Sequence, residues 1–248
     1  MSTPLDDLFV KVRSENRAAL IAYIPAGFPT IEGCKKVIQA FIEGGVDAIE
    51  IGFPYSDPVM DGPVIQQASQ AALEAGVTPQ SVLDEVPGLD VEIPLAVMTY
   101  YNLVHHPGPE RFAANLQRAG VAAAILPDLP LEESDPWCTA AEAHGIEAIM
   151  LAAPTAPDDR LPRVAERARG FIYSVGLLGV TGERSSLAET ATDLAARLKA
   201  ITDKPVLVGV GVSNAEQAYQ ATRVADGVIQ GASVVRRLME TGPDSVGE

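Results

Sequence analysis

The stretch PVLVGVGVSNAEQAYQATRVADGVIQG, residues 205–231, reads as strand, glycine-rich loop, helix and strand in succession. Its apolar runs at 205–211 and 227–231 show little of the polar alternation of a half-wet strand, as expected of parallel strands covered on both faces. Between them NAEQAYQATRVA sets apolar residues three and four apart, the spacing of a helix with one buried side. Runs of the same kind recur at 19–26, 47–53, 93–100, 122–128, 147–153 and 171–176, which makes eight. Helical patterns separate them, among them TIEGCKKVIQAFIEGG (30–45) and PERFAANLQRAG (109–120). Eight strand–helix units with no mid-chain linker predict an α/β fold, a (β/α)8 TIM barrel forming a single domain over residues 1–248, in preference to an open Rossmann-like or flavodoxin-like sheet. LDDLFVKVRSE (5–15) predicts an extra N-terminal helix capping the bottom of the barrel. IQQASQAALEAG (65–76) predicts an extra helix after the second strand, ahead of one at about 79–86.

Bulk properties narrow the partners. Eighteen basic against thirty-three acidic residues give a formal charge of −15, unfavourable to a surface that must neutralise a nucleic-acid backbone. Of the residues, 47% are apolar, yet no apolar run approaches the ~20 residues of a membrane-spanning helix. The first residues mix both charge signs and lack the apolar centre of a signal peptide, so the expected location is cytoplasmic. Cys34 and Cys138 lie far apart in helical patterns, and His105, His106 and His144 lack ligand spacing. Free structural thiols and no metal site are therefore expected.

A TIM barrel works from the loops at the C-terminal ends of its strands. Alternation along DAIEIGF (47–53) puts Ala48, Glu50 and Gly52 on one face and Ile49, Ile51 and Phe53 on the other. Small neighbours leave Glu50 room in the barrel mouth, where burial raises a carboxyl pKa toward the range useful for proton transfer. A structural glutamate satisfied by backbone donors is the competing reading. In the loop that follows, Pro54, Pro58 and Pro63 restrict the backbone and hold Asp61 in place. For Asp57 in Ser-Asp-Pro and Asp61 in Asp-Gly, ordinary turn chemistry is also available.

Glycine loops GVTG (179–182), GVGVSN (209–214) and QGASVV (230–235) follow the last three strands, and loops after strands seven and eight are where barrels often hold phosphate. GVGVSN is not a dinucleotide fingerprint, because Asn214 stands where the third glycine is required. Lys11, Lys35, Lys36, Lys199 and Lys204 lie in helical patterns or at a strand's lower end, which leaves no amine for Schiff-base chemistry. Acid–base chemistry on an anionic substrate remains.

FPYSDPVMDGPVIQQA (53–68), preceded by DAIEIG, resembles the tryptophan synthase α subunit family, whose signature runs Leu/Ile-Glu-x-Gly-x-Pro-x-Ser-Asp-Pro-x-x-Asp-Gly-Pro-x-Ile-Gln. The likeness continues through YIPAGFP (23–29), MTYYN (98–102), PDLPLEES (127–134), GVTGER (179–184) and the two glycine loops. The resemblance implies a lyase that cleaves indole-3-glycerol phosphate to indole and glyceraldehyde 3-phosphate. Glu50 then matches the acid–base residue and Asp61 the carboxylate that bonds the indole N–H. Tyr23 and Met98 would line the indole pocket, Tyr100 would join the substrate-binding set, and Tyr173 would lie near the glycerol phosphate. Gly182, Gly211, Gly231 and the amide of Ala232 would hold the phosphate, with Ser233 beside them, and Thr181 would touch the aspartate when its loop closes. Asp57, Pro58 and Gly179 match surfaces that face a β subunit, in an α2β2-type assembly, to which indole passes through a tunnel. Pyridoxal phosphate belongs to that partner, and no cofactor is expected in this chain.

Two departures stand out. Many relatives have Gly-Ser-Ala where this chain has Gly231-Ala232-Ser233, and often Ser-Arg where it has Gly176, Leu177 and Leu178. They imply weaker phosphate affinity and altered loop closure. A stand-alone indole-glycerol-phosphate lyase and a non-catalytic phosphate-binding regulatory barrel are the alternatives.

Overall fold

The computed structural model describes residues 2–89, 91–175, 184–209, 212 and 214–243, with the backbone alone at 184–189. Parallel strands β1 (Ala19–Pro25), β2 (Ala48–Gly52), β3 (Leu95–Met98), β4 (Ala123–Ile125), β5 (Glu147–Ala152), β6 (Ile172–Ser174), β7 (Val206–Val208) and β8 (Gly227–Gln230) close into a barrel. Closure comes from β8 pairing with β1, Ala19 opposite Gly227 and Ile21 opposite Ile229. Every apolar run of the sequence holds its strand, but the strands are shorter than the runs. The surplus apolar residues, such as Phe53 and Leu126, are buried in the loops beyond the strand ends.

Helices α1 (Pro4–Ser14), α2 (Ile31–Glu43), α3 (Pro63–Glu74), α4 (Pro79–Glu85), α5 (Tyr101–His105), α6 (Pro109–Arg118), α7 (Asp135–Ala143), α8 (Leu161–Arg167), α9 (Arg184–Lys199), α10 (Ala215–Thr222) and α11 (Ala232–Thr241) connect and surround them. The two extra helices take their expected places, α1 before the barrel and α3 after β2. The short α5 was not foreseen, since five residues carry too little periodicity to read as a helix. Among the described residues no helix is long and apolar enough to cross a membrane.

Strand alternation sorts the side chains into two cores. Ala48, Ala96, Ala123, Ile125, Ile149, Phe171, Leu207 and Ile229 fill the barrel, and Leu5, Leu8, Phe9 and Val12 of α1 close its bottom. Phe9 meets Phe171 edge-on with ring centres 6.2 Å apart, a favourable aromatic geometry. A capping box starts α1: the Thr3 side chain accepts from the Asp6 amide, and the Asp6 carboxylate accepts from the Thr3 amide, which satisfies two otherwise orphaned donors. Ile49, Ile51, Val97, Ala124, Val208 and Val228 face the other way, into the layer beneath the helices. Cys34 and Cys138 are buried in that layer as free thiols. With its lower end plugged, the barrel opens only at the strands' C-terminal ends.

Candidate active site

Glu50 is the third residue of β2, paired in register with Tyr23 of β1 and Ala96 of β3. It is 1% exposed, and its Oε2 has no hydrogen-bond partner. A buried carboxyl without donors favours its neutral form. Burial first, and then the nearby charge of Asp61, push its pKa up to about 8. The reading of Glu50 as a glutamate satisfied by backbone donors leaves this oxygen unexplained.

Asp61 lies in the loop between β2 and α3, tethered from two sides. The Tyr100 hydroxyl donates to Asp61 Oδ2 at 3.1 Å and accepts from the Met60 amide at 2.9 Å. Gln66 Nε2 donates to the Asp61 carbonyl at 2.8 Å. Tyr55 stacks on the Tyr100 ring at 4.8 Å, fixing the phenol that fixes the loop. Burial raises the Asp61 pKa, while the bond from Tyr100 pulls it back. Tyr100, expected in the substrate-binding set, is 2% exposed and holds the loop that carries Asp61. Its hydroxyl is already engaged by Met60 and Asp61. Asp57 is exposed and accepts from Ser56 Oγ at 2.5 Å, a bond between neighbouring side chains. Pro58 is half-buried beside it, and Val59 is 78% exposed.

Glu50 and Asp61 share a cavity of about 570 Å³ with Tyr23, Met98, Tyr173 and the turn Gly231–Ser233, a volume suited to a small organic ligand. Apolar walls come from Ile65, Ile125, Leu151, Val175 and Ile229. Two glycines make the tyrosines fit. A Cβ at Gly52 would collide with the Tyr23 hydroxyl, and one at Gly209 with the Tyr173 hydroxyl. Burial, with the charges of Asp61 and Glu50, holds both phenols far above the ordinary tyrosine value, so they remain hydroxyl donors. Beside the Tyr23 ring β8 runs through Gly231 into α11, whose first residues are Ala232 and Ser233. First-turn amides of a helix have no intrahelical partner and favour an anion.

The strand pattern brings Glu50 and Met98 inward as anticipated, and the helix start carries Ala232 and Ser233 to the same space. Thr181, Gly182, Gly211 and Gly179 lie outside the described residues. Arg236 stands in the wall as well; its only mark in the sequence is the four-residue step from Ala232, which returns to the same helix face. Leu151 and Ile125 were legible as inward positions of their strands but carried no polar mark. Among the described residues no group of three or more His, Cys, Asp and Glu side chains could hold a metal ion. The arrangement offers a mostly neutral carboxyl, a second tethered carboxyl, two phenols and an anion-seeking helix start around one cavity.

Comparison with known proteins shows the family. Residues 9–246 match the family model of the tryptophan synthase alpha chain. The tryptophan synthase alpha chain of Streptomyces coelicolor is 46% identical over 245 residues, covering 98% of this chain and 90% of its own length. That of Methanosarcina mazei is 43% identical, over 97% of this chain and 88% of its own. Among solved structures, a chain of tryptophan synthase from Mycobacterium tuberculosis superposes with a TM-score of 0.91 at 40% identity, covering 100% of this chain and 96% of that one. Tryptophan synthase subunit alpha from Legionella pneumophila gives a TM-score of 0.89 at 30% identity, with 100% and 95% covered.

Proposed function

The chain belongs to the tryptophan synthase alpha chain family, and we propose that Glu50 and Asp61 carry out the reaction of that family in it. The protein is a lyase, cleaving indole-3-glycerol phosphate to indole and glyceraldehyde 3-phosphate in tryptophan biosynthesis. Cleavage requires a proton at indole C3, so that the ring can leave, and loss of the proton from the side-chain hydroxyl, so that a carbonyl can form. Glu50, neutral over most of the physiological range, gives its proton to C3. The ring becomes an indoleninium cation, and ionised Asp61 at the indole N–H stabilises that charge. A single preorganised group of this kind contributes ~3–4 kcal/mol to a transition state. Glu50, now a carboxylate, takes the hydroxyl proton as the carbon–carbon bond breaks, leaving aldehyde and indole and restoring its starting state. No amine or metal enters the scheme.

One observation carries the reading: a buried carboxyl with an unpartnered oxygen shares a cavity with a second, tethered carboxylate. Tyr23 and Met98 supply walls for the indole, Tyr173 a donor near the glycerol phosphate, and Gly231, Ala232 and Ser233 the phosphate end. Glu50→Gln and Asp61→Asn are each expected to remove at least 99% of indole formation, about the loss of one electrostatic group, with unchanged circular dichroism and unchanged binding of glyceraldehyde 3-phosphate. Wild-type turnover in either variant would sink the assignment.

The family works with a beta subunit. We assign to this chain an α2β2-type assembly in which pyridoxal phosphate resides in the partner, and we place the partner-facing surface at the tip of the proline loop. There Asp57 and Val59 are exposed and Pro58 is half-buried.

A further inference from the structure

The phosphate of the substrate poses an electrostatic problem that the residues assigned so far do not resolve. The chain carries a net charge of −15, and two carboxyl groups already line the cavity. A phosphate group entering it is bound more tightly where positive charge compensates it. At the phosphate end Ala232 has no side-chain donor, and Ser233 Oγ donates its hydrogen to Gln230 Oε1 at 2.6 Å. Backbone amides at the start of α11 supply dipoles but no full charge.

Arg236 is the basic side chain in that wall, alone of its kind among the described residues. It sits one turn beyond Ala232 on α11, is exposed, and forms no ion pair with a described residue. In a chain with thirty-three acidic residues against eighteen basic ones, Arg13, Arg17, Arg160, Arg163, Arg167 and Arg197 all pair with carboxylates. A guanidinium presents a planar fork of donors that matches two phosphate oxygens at once. We propose that Arg236 binds the substrate phosphate, closing it against the N-terminus of α11, and thereby selects phosphorylated over unphosphorylated substrates.

The inference rests on the lyase reading of the cavity, and the experiment separates the two. Arg236→Gln is expected to raise KM for indole-3-glycerol phosphate roughly ten- to a hundredfold, the loss of charge-assisted hydrogen bonds, with kcat nearly unchanged. Arg236→Lys, which keeps the charge but loses the fork, falls between. Inorganic phosphate, titrated calorimetrically into the isolated chain, needs no turnover: Arg236→Gln is expected to weaken its binding by a similar factor. Arg237→Gln, next in sequence but off the cavity wall, leaves both quantities alone. Unchanged KM and unchanged phosphate binding in Arg236→Gln overturn the proposal while leaving the lyase intact. Phosphate binding that depends on Arg236 in a chain that cleaves nothing overturns the lyase and keeps the anion site. Equal losses in the Arg236 and Arg237 variants also overturn it, because they reduce the effect to net charge.

Discussion

Glu50 and Asp61 have different environments and therefore different protonation. The free enzyme needs Glu50 protonated and Asp61 ionised, so kcat/KM is expected to be bell-shaped, with an alkaline limb falling through about pH 8. The acid limb belongs to Asp61, whose pKa burial lifts above its ordinary value. Tyr100→Phe tests the tether. The bond from Tyr100 favours the ionised aspartate, so its removal is expected to move the acid limb to higher pH and to lower kcat by about tenfold, the loss of roughly one hydrogen bond to a charged group. A Tyr100→Phe profile superposable on wild type would show that Asp61 is held by something else. The role of Tyr100 was not legible in MTYYN, because its hydroxyl bonds residues some forty positions earlier, a contact that only closure of the β2 loop creates.

The same chemistry, displaced to the other end of the barrel, governs an element. Glu147 opens β5 with its side chain against the start of α1, 5% exposed and with Oε2 unpartnered. Burial pushes its pKa up to about 7, against hydrogen bonds from Thr3 and the Leu5 amide and with a further push from Asp6. An unfolded glutamate titrates near 4.5, so between that value and about 7 the folded state holds the extra proton. Stability is therefore full below pH 4.5 and is lost as pH rises through this window. Glu147→Gln removes that loss: urea unfolding is expected to show little difference from wild type at pH 4.5 and a gain of up to about 3 kcal/mol at pH 8. A gain independent of pH would mean that packing, not ionisation, sets the effect. Helix α1 itself was readable from its amphipathic spacing. That its apolar face would press on a carboxyl at the foot of β5 was not, since the two lie far apart in sequence.

For the whole molecule, the plugged lower end leaves the upper rim as the working face, and the proline loop projects from that rim with Val59 at its exposed tip. A beta subunit seated there would cover Val59, Pro58 and Asp57 and press on the loop that carries Asp61, linking assembly to catalysis. The purified chain is expected to release indole slowly, to accelerate at least tenfold when its cognate beta subunit is added, about the effect of one well-placed interaction, and to sediment with it as an α2β2 complex. Fast release that the partner does not alter would favour a stand-alone lyase. A second complex size would remove the stoichiometry but not the lyase.

The sequence by itself determined the alternation of strands and helices, the inward direction of Glu50, the stiffness of the Asp61 loop and the helix start at Gly231. Each of these is a relation between near neighbours, set by a period of 2 or 3.6, a fixed proline φ or a cap. Tertiary structure alone decided that Arg236 would share a wall with Glu50, that the Tyr100 hydroxyl would bond the loop at Met60 and Asp61, and that the Glu50 carboxyl would stay protonated to about pH 8. The physical reason is closure. Pairing β8 with β1 brings the last helix against β1 and α3, and only the enclosed space this creates removes the water that would otherwise keep the carboxyl ionised.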